Sequence, residues 1–194
     1  MSEDNCNSCV YFNTTLKCKL GLHNEQSFQN LWDGLYFPFG YPSLAPFVPT
    51  PCRVIQAMLS LAELKSGEVV YDLGSGDGRI VMLASGVFGA EAIGFEQEDE
   101  LVKKSINKIN ELQISDKAKI VKDNLLKADI SKADVIIMYL SPAGNQEVKP
   151  KLESELKPGA RVVSLEFEIQ GWQSQKVIQI VNNSLTYTIY LYVE

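Results

Sequence analysis

The chain has 194 residues, 45% of them hydrophobic and 22% charged, the proportions of one folded domain with a sizeable core and a small appendage. No apolar run reaches the ~18 residues of a membrane span, and the polar, acidic start MSEDNCNSC is unlike a signal peptide, so a cytoplasmic location is expected. The formal net charge of −6 lacks the basic footprint of a chain that binds along nucleic acid; it excludes nucleic acid as the expected primary ligand and suits basic protein partners better.

Residues 1–45 differ in composition from residues 46–194. They hold Cys6, Cys9, Cys18, the single histidine His23, and most of the aromatic stretch LWDGLYFPFGYPSLAP, which predicts an irregular extension packed by aromatics. The order C-x2-C-x8-C-x4-H suits tetrahedral zinc, and a three-cysteine, one-histidine iron–sulfur site fits it as well. Cys52 is an alternative fourth ligand. Free thiols or a redox-active pair are the plainer readings. Without a secretion signal, a disulfide framework is not expected.

From Thr50 onward, helix and strand signals alternate. TPCRVIQAMLSLAEL opens on Thr-Pro, an N-cap and N1 pair, and repeats apolar residues at helical spacing. A strand is expected at 69–73, a helix at 77–86 and a strand at 91–96. The helix expected at 98–113 carries Leu101, Ile106, Ile109 and Leu112 on one stripe. AKIVKD reads as a short strand, and ADVIIMYL is a continuous apolar run of the kind buried inside a parallel sheet. VKPKLESELKPGARVVSLEFEI gives a helix, a Pro-Gly stop and another strand. QKVIQIVNNSLTYTIYLYV gives two alternating strands about Asn-Asn-Ser. This order predicts an α/β fold with a doubly wound, mostly parallel sheet and an antiparallel C-terminal hairpin.

The chemistry concentrates in VVYDLGSGDGRI, residues 69–80, where a strand runs into Gly74, Ser75 and Gly76. A P-loop needs Lys-Ser or Lys-Thr after its glycines, and none follows. A dinucleotide places its pyrophosphate at the helix N-terminus, where Asp72 and Asp77 would repel it; Asp77 also reads simply as a cap for the helix that follows. S-adenosylmethionine carries an ammonium and a sulfonium but no phosphate. Asp72 can help hold its positive methionine end, while loop N–H groups take its carboxylate. Glu96, at the next strand end, is placed to accept from both ribose hydroxyls. Asp123 and Asn124 end the third strand, where an acid can accept from the adenine amino group. Carboxylates thus fall at three successive strand ends.

These residues resemble the first motif of class I S-adenosylmethionine-dependent methyltransferases. Together with APFVPTP, KPGARVVSLEFEIQGW and the closing YLYV, they resemble more narrowly the small protein-lysine methyltransferases of archaea and mitochondria, over roughly residues 45–194. The resemblance implies a seven-stranded Rossmann-like sheet and methyl transfer to lysine side chains of proteins. It further implies that Asp72, Gly74, Gly76, Glu96 and Asp123 bind the cofactor, with Thr50 and the preceding Phe47-Val48-Pro49 closing over its methionine end. It says nothing about the cysteine extension.

A sulfonium leaves as a neutral thioether, so the enzyme's task is to position the acceptor and admit it unprotonated. Lysine loses its proton more readily in an apolar channel. Tyr139, at the end of the fourth strand, is the expected catalytic residue. Tyr41, Phe47 and Trp172 are further candidate channel walls, and each also reads as ordinary core. Tyr139-Leu140-Ser141-Pro142 departs from the Asn-Pro-Pro-Tyr type of motif that methyltransferases of adenine or glutamine amines often show. No general base stands out, although Glu166 and Glu168 lie near a strand end. Two alternatives stay open: a module that binds S-adenosylmethionine as a regulatory ligand, and a small-molecule methyltransferase.

Overall fold

A computed structural model describes residues 44, 45 and 47–194. Cys6, Cys9, Cys18, His23 and Tyr41 lie outside the described residues. The elements are α1 (Cys52–Leu61), β1 (Val69–Leu73), α2 (Arg79–Phe88), β2 (Glu91–Glu96), α3 (Asp99–Glu111), β3 (Ala118–Lys122), β4 (Val135–Met138), α4 (Pro142–Glu155), β5 (Arg161–Leu165), β6 (Lys176–Asn182) and β7 (Leu185–Val193).

All seven strands join one sheet in the order β3-β2-β1-β4-β5-β7-β6. Strands β1 to β5 run parallel, and β7 pairs antiparallel with both β5 and β6. The expected fold is the one observed. Chain direction across the sheet reverses between β1 and β4, and ligands of such sheets bind in the crevice beyond the carboxyl ends of strands at that point. Val135–Met138 of β4 are all buried, as a strand covered on both faces requires.

Period-2 alternation splits the core. One layer joins α1 and α2 to Val70, Val135, Ile137, Val163, Leu165 and Ile189. The other packs Val148 and Leu152 of α4 against Ile136, Met138, Val162 and Tyr192. Cys52 is buried in the first layer. Trp172 packs with the second layer, edge-on to Tyr192 at a centroid distance of 5.6 Å, and donates to Glu153 at 2.9 Å. It is therefore not a wall beside Tyr139, which packs on the opposite layer.

Element boundaries depart from expectation in instructive places. The helix expected from Val148 begins at Pro142, because Ser141 caps it by accepting from the Gly144 N–H at 3.0 Å and Pro142 fills the first turn. Helix α2 starts at Arg79, after Gly78 in the left-handed region, and not at Asp77. Helix α1 starts one residue after Pro51, leaving Thr50 outside it. In α3, Ile106 is 39% exposed while Ser105 is buried. The buried stripe runs through a small residue there because the glycine loop passes close: a Cβ on Gly78 would sit 3.0 Å from that of Ser105.

Candidate active site

At the end of β1, the Gly74 and Ser75 N–H groups donate to the Phe95 carbonyl at 3.0 and 2.9 Å. The loop is thereby turned over β2. Gly74, Gly76 and Gly78 all have positive φ (88°, 54° and 76°), a region that other residues enter only with strain. Space demands glycine too. A Cβ on Gly76 would fall 2.6 Å from the Phe47 ring, and one on Gly94 would fall 2.5 Å from the Ser75 Cβ.

Asp72 is the anomaly of the site. It is 2% exposed, and its Oδ2 has no hydrogen-bond partner, nor has the buried Ser75 Oγ in the same loop. Burial pushes the carboxyl well above the usual carboxylate range, and the nearby charges of Glu96 and Asp77 push it further. An unpaired buried acid beside acids is costly. A cation supplied from outside relieves that cost, and the ammonium of S-adenosylmethionine fits.

Asp77 is compensated internally. It forms a buried ion pair with Arg79, Nη2 to Oδ2 at 2.6 Å and Nε to Oδ1 at 2.9 Å. The remaining Arg79 Nη1 donates to the Thr50 carbonyl at 2.9 Å. Sequence reasoning missed this role for Arg79 and offered Asp77 only as a loop acid or a helix cap. The available signal is an Asp two residues before an Arg at a helix start.

Glu96 is fixed by backbone donors: Oε2 accepts from Gly76 N–H at 2.8 Å, and Oε1 from Gln97 and Glu98 N–H at 2.8 and 2.9 Å. The Asp123 N–H donates to the Glu96 carbonyl at 3.1 Å, so the two strand ends adjoin. Asp123 is exposed and accepts from Asn124 N–H at 2.7 Å. The Asn124 Oδ1 accepts from Leu126 N–H at 2.9 Å and shapes the turn.

A strap of residues 44, 45 and 47–50 crosses this rim. The Leu44 carbonyl accepts from Ser141 Oγ at 2.6 Å and from its N–H at 3.2 Å. The Phe47 ring lies on Gly76, Thr50 is buried against Arg79, and Val48 is 49% exposed. The strap thus ties the segment after β4 to the loop after β1, across the crevice where strand order reverses. Beyond it, Tyr139 stands half-buried on the face shared with α1 and α2. Burial, then Glu166, then Tyr187 raise its pKa above the usual tyrosine value. Glu168 instead acts on Tyr192, on the other face.

A model of the ANTKMT methyltransferase domain matches residues 72–176, from the buried Asp72 to the start of β6. A protein-lysine N-methyltransferase of Saccharolobus islandicus is 44% identical over 154 residues, covering 79% of this chain and 96% of that one. The chain belongs to the ANTKMT methyltransferase domain family. The methyltransferase is also 33% identical over 135 residues to the adenine nucleotide translocase lysine N-methyltransferase of Mus musculus, covering 69% of this chain and 58% of that protein. Among solved structures, an RNA methyltransferase from Salinibacter ruber in complex with S-adenosyl-L-homocysteine superposes with a TM-score of 0.71 at 38% identity, covering 75% of this chain and 93% of that one. The methyltransferase is a class I, Rossmann-like enzyme dependent on S-adenosylmethionine.

Proposed function

We propose that this methyltransferase modifies lysine side-chain amines of basic proteins. The observation that carries its cofactor chemistry is the buried, unpartnered Asp72 under the glycine loop. Its acceptor class is supported by the Saccharolobus islandicus relative, a protein-lysine N-methyltransferase that this chain matches over 96% of its length.

Bound S-adenosylmethionine supplies a methyl group on a sulfonium that leaves as a neutral thioether. Around it, Asp72 holds the ammonium, Glu96 takes the ribose hydroxyls, and the turn of Gly74, Ser75 and Gly76, whose N–H groups are bonded to Phe95 and Glu96 rather than left for the methionine carboxylate, lets the methionine end approach the backbone closely. Asp123, with Asn124 shaping its turn, takes the adenine amine. Phe47, Val48 and Thr50 form the strap over the methionine end. Tyr139 lines the acceptor's path and excludes water from it, which lowers the lysine pKa from about 10.4 by desolvation.

RNA is the second reading, favoured by the description of the Salinibacter ruber structure. Against it stand the net charge of −6 and the residues after β4. Leu140 is buried, and the Ser141 Oγ is spent on Leu44 and Gly144, so neither offers a base amine a pair of acceptors. Incubation with methyl-tritiated S-adenosylmethionine, lysine-rich basic proteins and total RNA separates the two. Label released by protease supports the proposal, and label released only by ribonuclease overturns it.

For the N-terminal extension we propose that Cys6, Cys9, Cys18 and His23 hold zinc, supported by their spacing alone. No group of three or more potential ligands occurs among the described residues, so zinc found in the purified chain points to this quartet. Elemental analysis of the wild type and Cys9→Ser tests it: one equivalent lost in the variant is expected, and a metal-free wild type contradicts it.

A further inference from the structure

Three strands deliver side chains to one ledge at the carboxyl rim, on the face shared with α1 and α2. The register sets Asp72 beside Ile137 and Leu165 beside Ile189. Alternation along β4 and β7 then brings Tyr139 and Tyr187 to that face, where both are partly buried against the same core layer. Between them lies Glu166, immediately after β5. Its φ is +67°, a left-handed conformation that strains any residue with a Cβ.

That conformation is held from both sides. The Glu166 N–H donates to the Thr188 carbonyl at 2.7 Å, and the Thr188 N–H donates back to Glu166 Oε1 at 3.0 Å. Behind it, the buried Asn145 Nδ2 donates to Ser164 Oγ and to the Phe167 and Glu168 carbonyls at 3.2, 3.0 and 3.3 Å. Strain kept in place by so many bonds is a feature of functional positions. Here its effect is to fix one carboxylate, with only intermediate burial, between two phenols.

We propose that Glu166, flanked by Tyr139 and Tyr187, is the docking group for the ammonium of the incoming lysine. The inference rests on the lysine reading above and names the residue that gives it specificity. A fixed carboxylate attracts a primary ammonium and offers nothing comparable to a neutral amide or base amine. The two partly buried phenols shield the amine from water, and that desolvation favours loss of its proton to the solvent at the rim. Asp72 lies on the same face and holds the cofactor's ammonium, so two carboxylates serve two cations at opposite ends of the reacting pair.

Glu166→Gln tests this with little structural disturbance, since an amide oxygen can still accept from Thr188 N–H. The measurements are kcat/KM for methyl transfer to lysine-rich basic proteins, from about pH 7 to about pH 10.5, and calorimetric affinity for S-adenosylmethionine. Among the described residues, Tyr139 from β4 and Tyr187 from β7 are the titratable groups that face Glu166. Burial first, and then Glu166 itself, keep both above the usual tyrosine value, so they stay uncharged through most of the range. The expected result is a kcat/KM about tenfold lower in the variant near neutrality, carried by KM, with cofactor affinity unchanged. The gap closes as the acceptor amine becomes neutral near pH 10.4. A variant equal to wild type at neutral pH, or a deficit constant across pH, overturns the proposal. A wild type that never labels lysine refutes the lysine reading instead.

Discussion

At the scale of single residues, Asp72 shows how a binding group is bought with stability. Its raised pKa means that the folded chain keeps a proton which the unfolded chain loses near pH 3.9. The native state then binds more protons, so stability falls as pH rises from about 4 towards the native value and levels off beyond it. Asp72→Asn should therefore melt above the wild type at neutral pH without cofactor, and the difference should vanish below about pH 4; calorimetric melting curves at the two pH values check this. The same variant should bind S-adenosylmethionine about 10–100-fold more weakly, the worth of a charge-assisted hydrogen bond. At a pH where the raised pKa keeps Asp72 protonated in the free protein, cofactor binding should release a proton, seen as a heat that depends on the ionisation enthalpy of the buffer. The acids Asp72, Glu96 and Asp123 are legible in the sequence because each ends a strand-like run. The Asp77–Arg79 pair is less so: an Asp two residues before an Arg at a helix start is the local signal, but its burial depends on the Thr50 carbonyl brought in from a distant segment.

At the scale of elements, the site depends on a strap and a helix whose beginnings are easily misread. Gly76→Ala would place a methyl group 2.6 Å from the Phe47 ring at a φ of +54°, so it should lower cofactor affinity about tenfold, from strain of about 1–2 kcal/mol. Phe47→Ala in the same chain removes the clash and leaves the φ penalty. Calorimetry on the two single variants and the double variant should therefore show non-additivity. Asn145→Ala removes the amide that donates to Ser164 Oγ and to the part-buried carbonyls of Phe167 and Glu168 after β5, and urea titration should register a loss of about 1 kcal/mol. The start of α4 is obscured in the sequence because Gly144 and Asn145 are weak helix formers and Pro150 interrupts the pattern, although Ser141-Pro142 is the available signal. Helical periodicity favours the larger apolar side chain and so puts Ile106 on the buried stripe. The packing chooses Ser105, whose hydroxyl donates to the Gly76 carbonyl at 3.2 Å.

At the scale of the molecule, the parallel sheet and its terminal hairpin follow from the alternation of strand and helix signals. The register, the two-layered core and the ledge of Tyr139, Glu166 and Tyr187 depend on pairings between distant segments, which no local pattern encodes. The strand β6 edge exposes Val177 and Val181, and among the described residues no helix is long and apolar enough to cross a membrane. The net charge of −6 should steer basic acceptors, so kcat/KM for such proteins should fall severalfold as ionic strength rises from about 0.05 to 0.5 M, while kcat holds. The most direct measurement is methyl transfer itself: wild type and Asp72→Asn incubated with isotopically labelled S-adenosylmethionine and lysine-rich basic proteins, with modified residues located by peptide mass spectrometry. Labelled methyl on lysine side chains, lost in the variant, is the result expected. Tight cofactor binding with label on another residue, on RNA or nowhere would contradict it.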